Sequence, residues 1–215
     1  MRAEVIWVLP ACCALLDWYA VARDDRRTEV WAKPLVLVSL VVTALVLGAT
    51  DTLAGVWLLV ALVFGLAGDV ALLSDSLPRF RAGVFAFLVG HLAYVACFAS
   101  LGLTMIPTWS WAGLVVLAVA LIVTRGVVPA THRLGGRSLS LPVAAYSLVI
   151  GAMLLCAWFT GEPLVAVGAT VFVASDAILS VDRFVRPIPH AHLLLMVTYH
   201  VGQALIVAGV LAAGG

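Results

Sequence analysis

An all-α integral membrane protein of eight transmembrane helices, arranged as two parallel four-helix repeats, is what this sequence predicts. Three observations carry that expectation. Of 215 residues, 64% are hydrophobic and 11% are charged, whereas soluble domains carry about 25% charged residues. The apolar residues fall in runs close to the about 20 residues needed to cross a bilayer. Finally, "GLAGDVALLSD" (65–75) is echoed half a chain later by "FVASDAILSVD" (172–182). The expected organisation is a single membrane domain, 1–215, with candidate repeats 1–107 and 108–215.

The first run, 4–22, ends in "YAVA", which resembles a signal-peptide cleavage site. Arg23, Arg26 and Arg27 follow at once and oppose translocation, so it reads as a retained span. Asp17 and Tyr19 lie near its inner end, where they could line a cavity. The second run, 34–49, opens at Pro34 directly behind Lys33. That lysine either snorkels to the phosphate layer or contacts a substrate phosphate; the sequence favours neither. The third run, 53–73, holds Asp69, with Asp75 just beyond it. The fourth, 82–101, places His91 and Tyr94 on one helical face with Phe87 and Phe98. Runs five (109–125) and six (139–159) are almost wholly apolar. The seventh, 164–182, contains Asp176 and ends at Asp182. The eighth, 191–212, follows His190 and pairs Tyr199 with Gln203 at i, i+4, and His200 with Gln203 at i, i+3. His190 and His192 read as interfacial. Cys12, Cys13, Cys97 and Cys156 show no metal-ligand spacing and read as buried apolar fillers.

Eleven of the twelve basic residues alternate onto one side of this eight-span arrangement, and only Arg2 falls on the other. The positive-inside rule makes that side cytoplasmic and puts both termini outside. Lys33 is the only lysine among those twelve, an arginine bias that fits a GC-rich bacterial genome and hence a multi-pass protein of the plasma membrane.

At a shift of 107, Asp69 falls on Asp176 and Asp75 on Asp182. At 108, Pro34 falls on Pro142 with Ser-Leu-Val in register. Four helices per copy give the copies the same orientation, a parallel repeat about an axis along the membrane normal. Such a duplication would place Asp69 and Asp176 facing one another. An ionisable residue at membrane depth costs about 2.5–3.5 kcal/mol on insertion scales and is a functional-site candidate by default. Asp75 and Asp182, nearer the interface, read instead as carboxylates paired to an arginine, a serine or the backbone at a helix end.

"KPL", "GDVALL", "FLVGHLAY", "GATVFVASDAIL" and "TYHVGQALI", in that order, resemble the YhhN family of lysoplasmalogenases. The resemblance runs from Lys33 to Ile206. It implies an eight-helix membrane hydrolase that cleaves the vinyl-ether bond of lysoplasmalogens, releasing a fatty aldehyde and a glycerophospho-alcohol. It also implies that Asp69 and Asp176 are catalytic. Lys33, His91, Tyr94, Tyr199 and Gln203 then bind substrate or support the carboxyls; His200 lies outside the family pattern. The chemistry suits the residues. Vinyl-ether hydrolysis needs an acid to protonate the carbon β to oxygen, and a carboxylate to stabilise the oxocarbenium ion and activate water. Two carboxyls in a poorly hydrated site can divide those tasks, as glycosidases do. No metal or cofactor is expected. The expected partners are a lysophospholipid and the bilayer, with no nucleic acid. The competing class is a proton-coupled transporter of a small amphiphile, against which stands the clustering of polar residues in the cytoplasmic half.

Overall fold

A computed structural model describes residues 5–74, 76–104 and 106–214, apart from the side chains of Leu77 and Pro107. Asp75 and Arg2 lie outside the described residues. Among those described, the chain forms eight α-helices: α1 (Val8–Ala22), α2 (Arg26–Val46), α3 (Leu53–Leu72), α4 (Leu77–Leu101), α5 (Pro107–Thr124), α6 (Val127–Phe159), α7 (Pro163–Phe184) and α8 (Ala191–Gly214). Single 3-10 turns at Val5–Trp7 and Ala49–Asp51 precede α1 and α3. Seven helical stretches are long and apolar enough to cross a membrane; α5, apolar over Thr108–Thr124, is shorter.

Three helices begin well before their apolar runs. The fourth was expected from 82, but α4 starts at Leu77. The second was expected from Pro34, but α2 starts at Arg26, so Lys33 and Pro34 lie inside it. Its start is set by Asp25, whose carboxylate accepts from the Thr28 N–H (3.3 Å) and hydroxyl (2.6 Å). The Thr28 hydroxyl first, and then its N–H, hold the Asp25 carboxyl below the usual carboxylate range. The sixth was expected from 139, but α6 starts at Val127 and is interrupted at Gly135 (φ −146°, ψ 17°) and Gly136 (φ 60°, ψ −151°). The backbone at Gly136 is a conformation only glycine adopts readily. A short helical stretch therefore precedes the main run of α6.

The chain divides into two compact units. One takes the chain through Gly102 together with the stretch from Val207; the other is Leu103–Ile206. In the first, α3 and α4 approach through glycines. A Cβ on Gly90 would lie 3.3 Å from the Ala61 carbonyl oxygen and 3.7 Å from the Gly65 nitrogen. In the second, a Cβ on Gly202 would lie 3.0 Å from the Gly168 oxygen and 2.7 Å from the Phe172 nitrogen. Trp158 of α6 also ties that unit together, donating to the Thr170 hydroxyl of α7 (3.1 Å) and packing beside Trp109 of α5. Small residues that let backbones meet are the usual means of helix association in lipid. Gly202→Ala is expected to cost about 1–3 kcal/mol, because only backbone could move aside. Gly90→Ala, with looser contacts, should cost distinctly less. Thermal unfolding of the two variants in detergent tests that order.

The cysteines only partly match their expected role. Cys13 and Cys97 are buried and Cys156 is half-buried, but Cys12 is exposed. Adjacent residues on a helix point about 100° apart, and Cys12 shares the outer face of α1 with Leu15, Leu16 and Tyr19.

Candidate functional site

In the first unit, α2 and α3 are joined by charged side chains at two levels. Arg26, in the first turn of α2, donates to the carbonyl of Leu73, the residue that caps α3 (2.6 Å). A cation there meets the partial negative charge of the helix end. The same guanidinium reaches Glu29 at 3.0 Å. About two turns further into α2, the Lys33 ammonium lies 3.2 Å from Asp69 Oδ1. The Lys33 side chain is 9% exposed and that of Asp69 1%. This overturns the snorkelling reading: Lys33 is turned inward, and its charge is met by a buried carboxylate.

α4 brings two further polar side chains into this unit. His91 is buried, with Nδ1 2.6 Å from the Phe87 carbonyl oxygen. A carbonyl only accepts, so Nδ1 donates in this bond. The Phe87 ring packs where a Cβ on Gly68 would stand, 2.7 Å away, beside the residue that precedes Asp69. Tyr94 is buried and stacked on Phe98 at 5.7 Å. Asp17 and Tyr19 part company. Asp17 is wholly buried, whereas Tyr19 is exposed on α1 with the Arg23 guanidinium 5.5 Å from its ring centroid.

In the second unit, Asp176 of α7 is half-buried and within electrostatic reach of Tyr146 on α6. Its neighbour Ser175 is buried, donating to the Phe172 carbonyl at 2.7 Å. On α8, Tyr199, His200 and Gln203 are all buried. The Tyr199 ring lies 5.4 Å from Phe172 and 5.3 Å from His200. At the end of α7, Asp182 accepts from the Ile188 N–H at 2.8 Å, the backbone partner expected of it. His190 and His192 are exposed, as interfacial residues would be.

Two residues of these clusters escaped the sequence reading. Glu29 is buried and ion-paired, yet "RRTE" reads as a solvated loop. Its signal was the i, i+4 spacing to Lys33, which puts both on one face once the helix is extended backwards. Tyr146 sits in an apolar run with no polar neighbour beyond Ser147, and nothing local marks it.

The YhhN family profile matches residues 28–210. Among similar proteins, lysoplasmalogenase TMEM86B of Mus musculus is 32% identical over 211 residues, covering 95% of this chain and 86% of that protein. Lysoplasmalogenase TMEM86B of Homo sapiens is 34% identical over 152 residues, 68% of this chain and 59% of that protein. A lysoplasmalogenase of Mycobacterium tuberculosis is 30% identical over 161 residues, 71% of this chain and 59% of that protein. The match therefore spans less than two thirds of the human and mycobacterial proteins. No solved structure matches the chain.

Proposed function

Because the chain belongs to the YhhN family, we propose that it is a lysoplasmalogenase-like hydrolase of the membrane. It cleaves the vinyl-ether bond of a lysoplasmalogen to a fatty aldehyde and a glycerophospho-alcohol. The observation that supports this most is the buried Lys33–Asp69 pair on apolar helices. A charge buried among apolar helices is costly and is a functional-site candidate by default, and relatives of this chain are named lysoplasmalogenases. Asp69 and Asp176 are the catalytic carboxyls in this reading. Lys33, His91, Tyr94, Tyr199 and Gln203 bind the substrate or hold the carboxyls. The reaction proceeds with a proton and a water molecule. Incubating the purified protein with a panel of lysolipids tests the reading: aldehyde should appear from vinyl-ether lipids and not from their acyl counterparts. Aldehyde from none of them would refute it.

All eight helices cross the plasma membrane in this proposal, with both termini outside and the arginine-bearing turns in the cytoplasm. The two halves of the sequence, 1–107 and 108–215, descend in this reading from one four-helix ancestor. Cysteines placed beside Arg26, Arg79, Arg133 and Arg186, in a background lacking Cys12, should resist an impermeant thiol reagent in intact cells. Labelling at two or more would overturn the topology.

A further inference from the structure

Lys33 is the one lysine of the chain; the other eleven basic residues are arginines. Arg26, two turns earlier on α2, already serves as a cation toward Glu29 and the Leu73 carbonyl. No arginine among the described residues is buried. Lysine stands where the cation is buried against a carboxylate, 3.2 Å from Asp69 Oδ1. The two residue types differ in what they can do there. A guanidinium keeps its proton, whereas an ammonium that gives one up becomes a nucleophilic amine.

The pair lies in surroundings that hold little water. Both side chains are shielded from solvent. Leu37 and Leu40, one and two turns along the same face of α2, are wholly buried, as is Leu62, two turns before Asp69 on α3. A bond between an amine and an aldehyde carbon is lost to hydrolysis where water is plentiful and persists where it is scarce. A proton can also pass from Lys33 to Asp69 without stranding a charge, because the pair then becomes two neutral groups. One carboxyl thus both accepts the proton of the amine and returns it to a departing hydroxyl.

Building on the function proposed above, which releases a fatty aldehyde beside Asp69, we infer that Lys33 is a covalent capture site for long-chain aldehydes. The ammonium first passes a proton to Asp69. The lone pair freed on Nζ bonds to the aldehyde carbon, the C=O π pair moves to oxygen, and a second proton shifts from nitrogen to that oxygen. The resulting carbinolamine loses its hydroxyl as water, taking the proton held on Asp69, while the nitrogen lone pair completes a C=N bond. One water leaves, and an iminium of the same charge as the ammonium now faces the Asp69 carboxylate. The ion pair is kept with the alkyl chain attached, and no oxidant or reductant is used. Water reverses the steps, so the aldehyde occupies the site until hydrolysis frees it.

Reductive trapping tests this. The purified protein in detergent is incubated at neutral pH with hexadecanal and sodium cyanoborohydride, which reduces an iminium to a stable amine, and the adduct is located by peptide mass spectrometry. Lys33 should gain one hexadecyl group, and the N-terminal amine far less. In water the order would be the reverse, since an N-terminal amine, pKa about 7.7–8.0, is uncharged more often than a lysine, pKa about 10.4. Label on the N-terminal amine alone, or on both amines equally, would overturn the inference, and this comparison within the wild type needs no variant. Lys33→Arg, which keeps a cation beside Asp69, should lose the adduct at that position. Replacing hexadecanal by lysoplasmenylethanolamine separates this inference from the reading it rests on. Label on Lys33 from hexadecanal, with neither label nor aldehyde from the lysolipid, would refute the hydrolase and leave the capture site standing. Aldehyde released from the lysolipid, with Lys33 unlabelled in both incubations, would refute the capture site and leave the hydrolase standing.

Discussion

Asp69→Asn and Asp176→Asn should each suppress aldehyde release by at least about 10²–10⁴-fold, the usual value of general acid–base catalysis, in proteins that remain folded in the membrane. Asparagine keeps the shape of the side chain and much of its hydrogen bonding. It can neither give up an acidic proton nor carry the negative charge that stabilises an oxocarbenium ion. Both losses therefore fall on the transition state, so kcat should drop far more than KM rises. Asp182→Asn is the control: its Oδ1 accepts a backbone N–H at 2.8 Å on an exposed turn, and the amide oxygen can do the same. Its activity should stay close to wild type, as surface substitutions usually do. Steady-state aldehyde release from the three variants checks the set. Full activity in both deep variants would remove the carboxyl mechanism even though the family membership stands.

Lys33→Met is expected to destabilise the protein by about 3–5 kcal/mol, the cost of leaving one member of a buried ion pair behind. The partner left behind is the Asp69 side chain, 1% exposed, which water cannot rescue. The double variant Lys33→Met/Asp69→Asn should recover most of that loss, because no charge is then stranded. Recovery on adding a second substitution is the signature of direct coupling, since independent sites would add their losses. Thermal unfolding in detergent of the two single variants and the double variant measures it. If the double variant were less stable than Lys33→Met alone, the ion pair would not be the source of the effect.

Hydropathy made most of the helices legible, because α3, α7 and α8 are largely apolar and their turns are short. It misplaced the starts of α2 and α6 for physical reasons. The first turns of α2, "RRTEVWAK", are charged, and what makes them helical is the Asp25 cap and the partners that Arg26 and Lys33 find on α3. A hydropathy window sees the charge and not the partner. In α6 the Gly135–Gly136 break looks like a loop, and only the backbone reveals a helical stretch before it. The site followed the same pattern. Asp69, His91 and Gln203 stood out because polar groups are rare in apolar runs. The pairing of Lys33 with Asp69 did not, because it depends on the face each helix turns to its neighbour. Tyr146 had no distinguishing surroundings at all.

The ion pair between α2 and α3 also bears on how the chain enters the membrane during synthesis. Lys33 leaves the ribosome before Asp69 exists, so α2 arrives at the insertion machinery without the carboxylate that its lysine meets in the folded protein. A lone lysine at the centre of a helix opposes partition into lipid by about 2.5–3.5 kcal/mol. The next helix is close behind, since only a short turn around Gly48 (φ 83°) and the Ala49–Asp51 segment separates α2 from α3. In the topology proposed above, α2 and α3 are expected to leave the translocation channel as a hairpin, with the lysine and aspartate neutralising one another as they pass into the bilayer together. Lys33 is, on this view, a timing element in the biogenesis of the protein, holding the second helix back until the third can accompany it.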